Sequence, residues 1–399
     1  MRVHLARLPV LVMALLIGTS VAAEPAGAAP AWSVTPTPAA RLVSTAVLSG
    51  VSCPSQRACL AVGYQVDAAG APVPLAERWN GRHWAIASPP APPATGSFLF
   101  GVSCATARSC MAVGSSTRHR ETVALAERWN GIRWALQPEL RPRGRIRGAH
   151  PTAYLAAVAC PSTAACTAVG YVGNRAGTLG APLIARWTRK AGWLSQPAAP
   201  PPAAKAAFLS GVSCGSPTDC AAVGFLATRA GTSETLAEHW TQDSWHLERI
   251  PTPVGATAVQ LTGVSCPSPS FCSAVGYFDT AGIDIALSER WDGIRWVIGR
   301  ARYPPGARSA RLAEVSCPSR GVCTAVGVLN AADGLNAPLV EGWTPRGWAV
   351  QPTPPIGTAA APTDAELSGV SCRALGRCVA VGDIAPLSGS QNVLAERAG

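Results

Sequence analysis

The chain has 399 residues, 48% of them hydrophobic and 14% charged, with a formal net charge of +11. Its 36 prolines and 39 glycines interrupt every candidate run of helical periodicity, which excludes a helical architecture. Beyond residue 28 there is no long apolar segment that would span a bilayer as a helix.

Residues 1–28 read as a secretory signal peptide. Arg2 and Arg7 supply the positive start, and the apolar run Leu8 to Ile17 is short for a membrane span. Small-residue cleavage sites follow at Val21-Ala22-Ala23 and Ala26-Gly27-Ala28, and no cysteine follows the run for lipid attachment. The expectation is an extracellular, released domain over residues 29–399 with no transmembrane anchor. Cleavage after Ala23 removes Arg2 and Arg7 and leaves a mature charge of about +9, and removal of residues 1–28 also takes Glu24 and leaves about +10.

The rest of the chain repeats one stretch, Leu48 to Pro89, seven times with drift. Its cysteines set the frame: Cys53/Cys59, Cys104/Cys110, Cys160/Cys166, Cys214/Cys220, Cys266/Cys272, Cys317/Cys323 and Cys372/Cys378 use all 14. Successive first cysteines lie 51, 56, 54, 52, 51 and 55 residues apart. An even number of cysteines at regular spacing in an exported chain reads as a disulfide framework. Zinc is not expected, because paired zinc cysteines stand closer and histidine does not repeat with these. A catalytic thiol would not be copied seven times.

Each copy reads as four short strands. In the first they are LSGVSC (48–53), CLAVGY (59–64), LAERW (75–79) and WAIAS (84–88). The cysteines flank the first hairpin. A tryptophan pair flanks the second, whose turn carries Asn80-Gly81. Five further copies keep the pair: Trp129/Trp134, Trp187/Trp193, Trp240/Trp245, Trp291/Trp296 and Trp343/Trp348.

Four-stranded units of about fifty residues predict an all-β, seven-bladed β-propeller. The seventh copy stops after Leu394-Ala395-Glu396-Arg397 with no tryptophan strand. Its counterpart is Ala31-Trp32-Ser33-Val34-Thr35-Pro36-Thr37-Pro38, which matches Trp348-Ala349-Val350-Gln351-Pro352-Thr353-Pro354. The N-terminal strand is therefore expected to close the last blade.

The units resemble kelch-type blades: a strand ending in glycine (Ala61-Val62-Gly63-Tyr64), a variable loop, Glu77-Arg78-Trp79, then Trp84 and a proline. They depart from the kelch pattern in a single rather than double glycine and in the added cysteine pair. The architecture is also similar to secreted tandem-repeat proteins of high-GC bacteria. What this resemblance implies is a propeller, and no particular activity.

The loops between second and third strands and the connections between copies vary, and in a propeller they share one face. Any binding site is expected there. Two basic stretches fall on it: Arg118-His119-Arg120, and the connection holding Arg141, Arg143, Arg145 and Arg147. A second basic connection holds Arg300, Arg302, Arg308 and Arg311. The functional reading is a site for a polyanionic polysaccharide or cell-envelope polymer, or for a protein partner. The bland reading is a solvated charged loop. Nucleic acid is not expected, because aromatic residues do not interleave with the charges.

The recurring Glu77/Arg78, Glu127/Arg128, Glu289/Arg290 and Glu396/Arg397 read as structural pairs, since an active site is normally made once. Glu314 stands where other copies have Gly50, Gly101, Gly211, Gly263 and Gly369. Asp383 replaces the aromatic of Tyr64, Tyr171, Phe225 and Tyr277. Two such carboxylates would serve glycoside hydrolysis only if suitably opposed. The ligands of a copper-radical oxidase have no counterpart, and neither a metal nor another cofactor is expected. The commitment is a non-catalytic binding or scaffold module, with an extracellular glycosidase or lyase as the alternative.

Overall fold

A computed structural model describes residues 31–38, 45–119, 121–140, 151–174, 180–198, 204–241, 243–302, 304–344, 347–356, 363–386 and 391–399. The signal-peptide reading of 1–28 falls outside them. The described residues form 28 strands and no helix, so no helix there is long and apolar enough to cross a membrane.

The strands group as the cysteine frame predicts. In the first unit Ala46–Ser55, Ala58–Val66, Pro72–Trp79 and Trp84–Ile86 pair antiparallel in chain order. Six more units repeat this meander. Single parallel bridges, Thr122 with Thr152 and Gly180 with Ala206, join the second, third and fourth units into one larger sheet. The N-terminal strand Trp32–Val34 pairs with Asn392–Ala398 as the outer strand of the last unit. Its register, Trp32 opposite Ala398 and Val34 opposite Glu396, reproduces that of Trp348 opposite Trp343 and Val350 opposite Glu341. The tryptophan strand missing from the seventh copy is thus supplied from the other end.

All seven disulfides form within their units, across the first hairpin: Cys53–Cys59, Cys104–Cys110, Cys160–Cys166, Cys214–Cys220, Cys266–Cys272, Cys317–Cys323 and Cys372–Cys378. Their Cα atoms lie 4.0–4.1 Å apart. Each closes a loop of about seven residues and contributes about 2 kcal/mol by restricting the unfolded chain. One feature departs from what a place beside a surface turn suggests. The second cysteine of every pair is buried: Cys59, Cys110, Cys166, Cys220, Cys272, Cys323 and Cys378 are all at most 5% exposed. The cause is the strand they stand on, whose sulfur-bearing face packs into the core. The sulfurs even meet the preceding unit, Cys220 Sγ at 3.7 Å from Thr167 Oγ1 and Cys378 Sγ at 3.6 Å from Thr324 Oγ1.

In the second hairpin Trp79 and Trp84 face each other at 5.7 Å. Asn80 Oδ1 accepts hydrogen bonds from the Arg82 and His83 amides, and Gly81 takes a φ of +97°. Asn130 and Asp292 build the same turn in their units. Gly63 marks the close approach of first and second strands, because a Cβ there would lie 1.9 Å from the Val47 carbonyl oxygen. The inner strand bulges at that point, between Leu48 and Gly50.

The core lies between units rather than within them. Each hydrophobic cluster mixes residues of two consecutive units: Leu60, Val62 and Ala76 pack with Leu99, Ala112 and Trp129, for example. One such cluster joins Leu48, Val51 and Trp79 of the first unit to Val379, Val381 and Val393 of the last. Inner strands pack side by side from the first unit to the seventh, and the seventh packs on the first. Serines stitch them together. Ser52 Oγ accepts from the Cys104 amide of the next unit, and Ser103, Ser213, Ser265 and Ser316 do the same for Cys160, Cys266, Cys317 and Cys372. Ser371 completes the series by accepting from the Cys53 amide at 3.0 Å. The third unit has Ala159 at this position and breaks the pattern. The fold is an all-β propeller.

Candidate functional site

The two faces differ as their turns predict. The cysteine turn and the Trp-flanked turn share one face, where Gly81 abuts Arg57 and Gly131 abuts Arg108. The variable loops and connections share the other. There the Val66 amide donates to the Thr45 carbonyl, and the Arg308 amide to the Asn330 carbonyl.

On the variable face, where the inner strands begin, two paired backbone positions change from unit to unit. Across the seven units they hold Val47 with Tyr64, Phe98 with Ser115, Tyr154 with Tyr171, Phe208 with Phe225, Gln260 with Tyr277, Arg311 with Val328, and Glu366 with Asp383. The flanking Leu48, Leu99, Leu155, Leu209, Leu261, Leu312 and Leu367 are constant and buried. Chemistry varies here on an otherwise uniform frame.

In units one to four the varied positions form a continuous aromatic arc. Tyr64 meets Phe98 edge-on at 5.0 Å, and Phe98 stacks on Phe100 at 6.3 Å. Phe100 meets Tyr154, Tyr154 meets Tyr171, and Tyr171, Phe208 and Phe225 stack at 4.3 and 4.7 Å. All but Tyr171 keep part of their surface in solvent. Burial pushes the Tyr154 and Tyr171 hydroxyls up, so both are neutral donors at ordinary pH.

In units five to seven the same positions are mostly polar, with Tyr277 keeping a ring and Val328 the one aliphatic residue. The Tyr277 hydroxyl donates to Gln260 Oε1 at 3.0 Å. Arg311 lies over the Tyr277 ring at 4.8 Å and is ion-paired with Asp284. Glu366 and Asp383 hydrogen-bond to each other, and Gln391 Nε2 donates to Asp383 Oδ2. Asp383 is buried, and its Oδ1 has no donor unless a proton sits between the two carboxyls. Both are pushed up, Glu366 by desolvation and then by the Asp383 charge, Asp383 by desolvation. The pair therefore shares a proton into a higher pH range than ordinary carboxylates. The Asp383 charge also reaches Tyr64, raising its hydroxyl after desolvation, so the polar arc meets the aromatic one.

Just below the mouth, the inner strands approach so closely that five units carry glycine there and the third only Ala157. A Cβ on Gly369 would lie 2.9 Å from the Cα of Gly50, and one on Gly211 3.1 Å from that of Gly263. Glu314 breaks this ring. Its carboxylate lies over the bare face of Gly263 and accepts from the Val315 amide at 2.9 Å. It keeps a little contact with solvent, yet protein surrounds it, and desolvation pushes it up to about 8.

The sequence-predicted residues fare unevenly. Arg118 sits at the end of the second strand of unit two, opposite Glu121, with its Nε buried. Arg120, Arg141, Arg143, Arg145 and Arg147 lie outside the described residues. The disulfides take no part in the mouth. They lie at the far end of the inner hairpins, and Cys166, Cys220, Cys323 and Cys378 offer a ligand almost no surface. The second basic connection is not a free charged loop: Arg311 belongs to the inner strand at the mouth, and Arg308 Nη2 donates to the Ala332 carbonyl at 2.7 Å. Among the described residues no ion pair joins Glu127 to Arg128, Glu289 to Arg290 or Glu396 to Arg397. Alternation along the strand buries Glu77, Glu127, Glu289 and Glu396 completely, while arginines turn to the next unit. Arg128 lies over Trp187, Arg186 over Trp240 and Arg397 over Trp79, at 5.4, 4.3 and 4.6 Å. Burial raises Glu127 and Glu289 to about 8 and Glu396 to about 7, which keeps the first two largely neutral at pH 7 and Glu396 about half so. Tyr64, Tyr171 and Phe225 stand out after the Val-Gly signature, but the inner-strand part of the arc, Phe98, Tyr154 and Phe208, was missed because it follows no local motif. It emerges only when the residue before each constant leucine is compared across copies.

No family model matches the chain, and no curated protein matches it. Solved structures share its fold. Polysaccharide lyase Uly1 is 8% identical over 90% of this chain and 90% of its own, with a TM-score of 0.54. A protein of unknown function from Dyadobacter fermentans DSM 18053 is 10% identical over 92% and 98%, with a TM-score of 0.51. A lectin of Aleuria aurantia in complex with Fucalpha1-6GlcNAc is 11% identical over 78% and 97%, and its TM-score of 0.45 is too loose to carry an argument. At these identities the likeness concerns the fold alone.

Proposed function

We propose that the protein is a secreted, closed seven-bladed propeller of one domain over residues 29–399 that binds a glycan at the mouth on its variable face, without cleaving it. The observation that carries this reading is the aromatic arc from Tyr64 to Phe225, half-exposed beside the polar arc of Gln260, Arg311 and Glu366. Aromatic faces stack on the apolar faces of sugar rings, and carboxyl, amide and guanidinium groups bond their hydroxyls. Ring closure is supported by the Ser371–Cys53 hydrogen bond and the stacking of Arg397 on Trp79. Secretion is supported by the seven disulfides. The kelch-like reading of the blade rests on the Glu-Arg-Trp and Ala-Val-Gly signatures.

The alternative, a glycosidase or lyase, agrees less well with the mouth. Glycoside hydrolysis places its two carboxyls about 5 Å or more apart. Glu366 and Asp383 are in hydrogen-bond contact and share a proton. A polyanionic glycan is the more specific form of the reading, supported by the charge of +11 and the arginines 141–147. The test is calorimetry on a panel of neutral and anionic oligosaccharides with the Phe100→Ala/Phe208→Ala variant beside the parent. Loss of binding by at least about tenfold, about 1.4 kcal/mol, is expected. Unchanged affinity for every bound glycan would refute the site. Retention on anionic polymers across a salt series, with Arg141, Arg143, Arg145 and Arg147 changed to Ala, tests the polyanion.

A further inference from the structure

The face opposite the mouth holds a second feature, where the last unit meets the first. A cleft of about 370 Å³ opens there, lined by Arg373, Arg377 and Arg397 of the last unit and by Gln56 of the first. Two of these arginines break the repeat. Position 373 is Pro54, Ala105, Pro161, Gly215, Pro267 or Pro318 in the other copies, and position 377 is Ala58, Ser109, Ala165, Asp219, Phe271 or Val322. Arginine at these two positions is therefore specific to this seam, although single arginines stand elsewhere in the cysteine turns of other units.

Arg397 is held in place. Its guanidinium lies 4.6 Å from the centre of the Trp79 ring across the seam, and its buried Nε has no hydrogen-bond partner among the described residues. Arg373 and Arg377 are exposed and make no ion pair among the described residues. No Asp or Glu side chain lines the cleft. Even with the Gly399 carboxylate counted, positive charge is in excess. The Ser371–Cys53 hydrogen bond at 3.0 Å ties the cleft's floor across the same seam.

We propose that this cleft is an oxyanion-binding site, separate from the mouth and on the opposite face. Its ligand is a sulfate, phosphate or carboxylate group, and planar guanidinium forks suit such groups in bidentate pairs. The anion bridges the two ends of the chain, because Arg373 and Arg377 sit on the last unit's cysteine turn while Gln56 sits on the first unit's. Binding therefore also fastens the seam by mass action.

The test uses the disulfide-bonded full chain and the variant Arg373→Ala/Arg377→Ala. Alanine occupies one or other of these positions in sister copies (Ala105, Ala58, Ala165), so the turn is compatible with it. The control Arg108→Ala/Arg320→Ala removes equal charge from the same turn in other units. Sodium sulfate, sodium phosphate, a sulfated tetrasaccharide and a uronate tetrasaccharide are titrated at constant ionic strength, read by calorimetry and by thermal midpoint. The seam variant should bind at least tenfold more weakly and lose the anion-induced rise in midpoint, while the control behaves as the parent. A tetrasaccharide that outbinds inorganic anion at least tenfold assigns the site to a glycan-borne group, and equal binding assigns it to free anion. The proposal is overturned if the seam variant binds as the parent does, if the control loses as much as the seam variant, or if the parent binds none of the four.

Discussion

The halves of the mouth stand in instructive contrast. Units one to four each put at least one ring at the two backbone positions where units five to seven put Gln260, Arg311, Glu366 and Asp383. The leucine beside them, the disulfide below and the glycine across the hairpin are the same in both halves. The repeated positions therefore define a frame, and two columns of free positions define the chemistry. One half offers stacking surface; the other offers hydrogen bonds and charge.

The contrast depends on the seam, and breaking the seam should have the largest effect. Trp32 is buried in the last unit's core and donates from Nε1 to Gln351 Oε1 at 2.9 Å. Trp32→Ala should cost about 3–5 kcal/mol in chemical denaturation. Hydrogen exchange should quicken in the polar units six and seven before the aromatic units two and three. Uniform loosening would mean that the arcs are not separable parts. Next in size, Phe208→Ala removes a ring stacked between Tyr171 and Phe225 and should cost about 2–3 kcal/mol.

A smaller effect, from buried carboxyls in both halves, appears with pH. A carboxyl raised in the folded state keeps its proton after the unfolded chain has lost its own. Its contribution is full below the unfolded value of about 4.3 and is lost as pH rises through the folded one. Glu127, Glu289 and Glu314, each at about 8, should make the thermal midpoint highest near pH 4–5 and lower it steadily toward pH 8. Glu314→Gln should flatten part of that slope, gaining about 1–2 kcal/mol at pH 8 and nothing at pH 4. The mildest change is Glu366→Gln, which removes the shared proton from an exposed side chain. It should leave the Asp383 carboxyl, followed by NMR, still raised above the ordinary carboxylate range, because desolvation raises it and the Glu366 contact lowers it, while leaving the fold intact.

Much of the frame was legible because it is repeated. Cysteine spacing located the first hairpin, Asn80-Gly81 the second, and the match of Trp32 to Trp348 located the closing strand. Spacing could pair Cys166, Cys220, Cys323 and Cys378 with their partners, but not show that they are buried, because the covering residues come from other strands and units. The glycine of Ala-Val-Gly was visible as a signature, but its cause, the Val47 carbonyl within 2 Å of an added Cβ, needs three dimensions. Glu127 and Arg128 look like an ion pair in one dimension, but neighbours in sequence lie on opposite faces of a strand. The mouth was hidden for the opposite reason. Phe98, Tyr154, Phe208 and Arg311 sit about fifty residues apart, and only the propeller brings them together. Asp383 and Glu314 were visible as departures from the repeat, whereas Glu366 gained meaning only from its contact with Asp383.

The central claim is that the mouth is where a glycan binds, and hydrogen–deuterium exchange with and without the tightest-binding oligosaccharide tests it most directly. The account predicts protection at the starts of the inner strands, residues 97–100, 153–156 and 207–210, with the cysteine turns unchanged. Protection confined to the cysteine turns or the outer tryptophan strands, with the mouth unaffected, would contradict it.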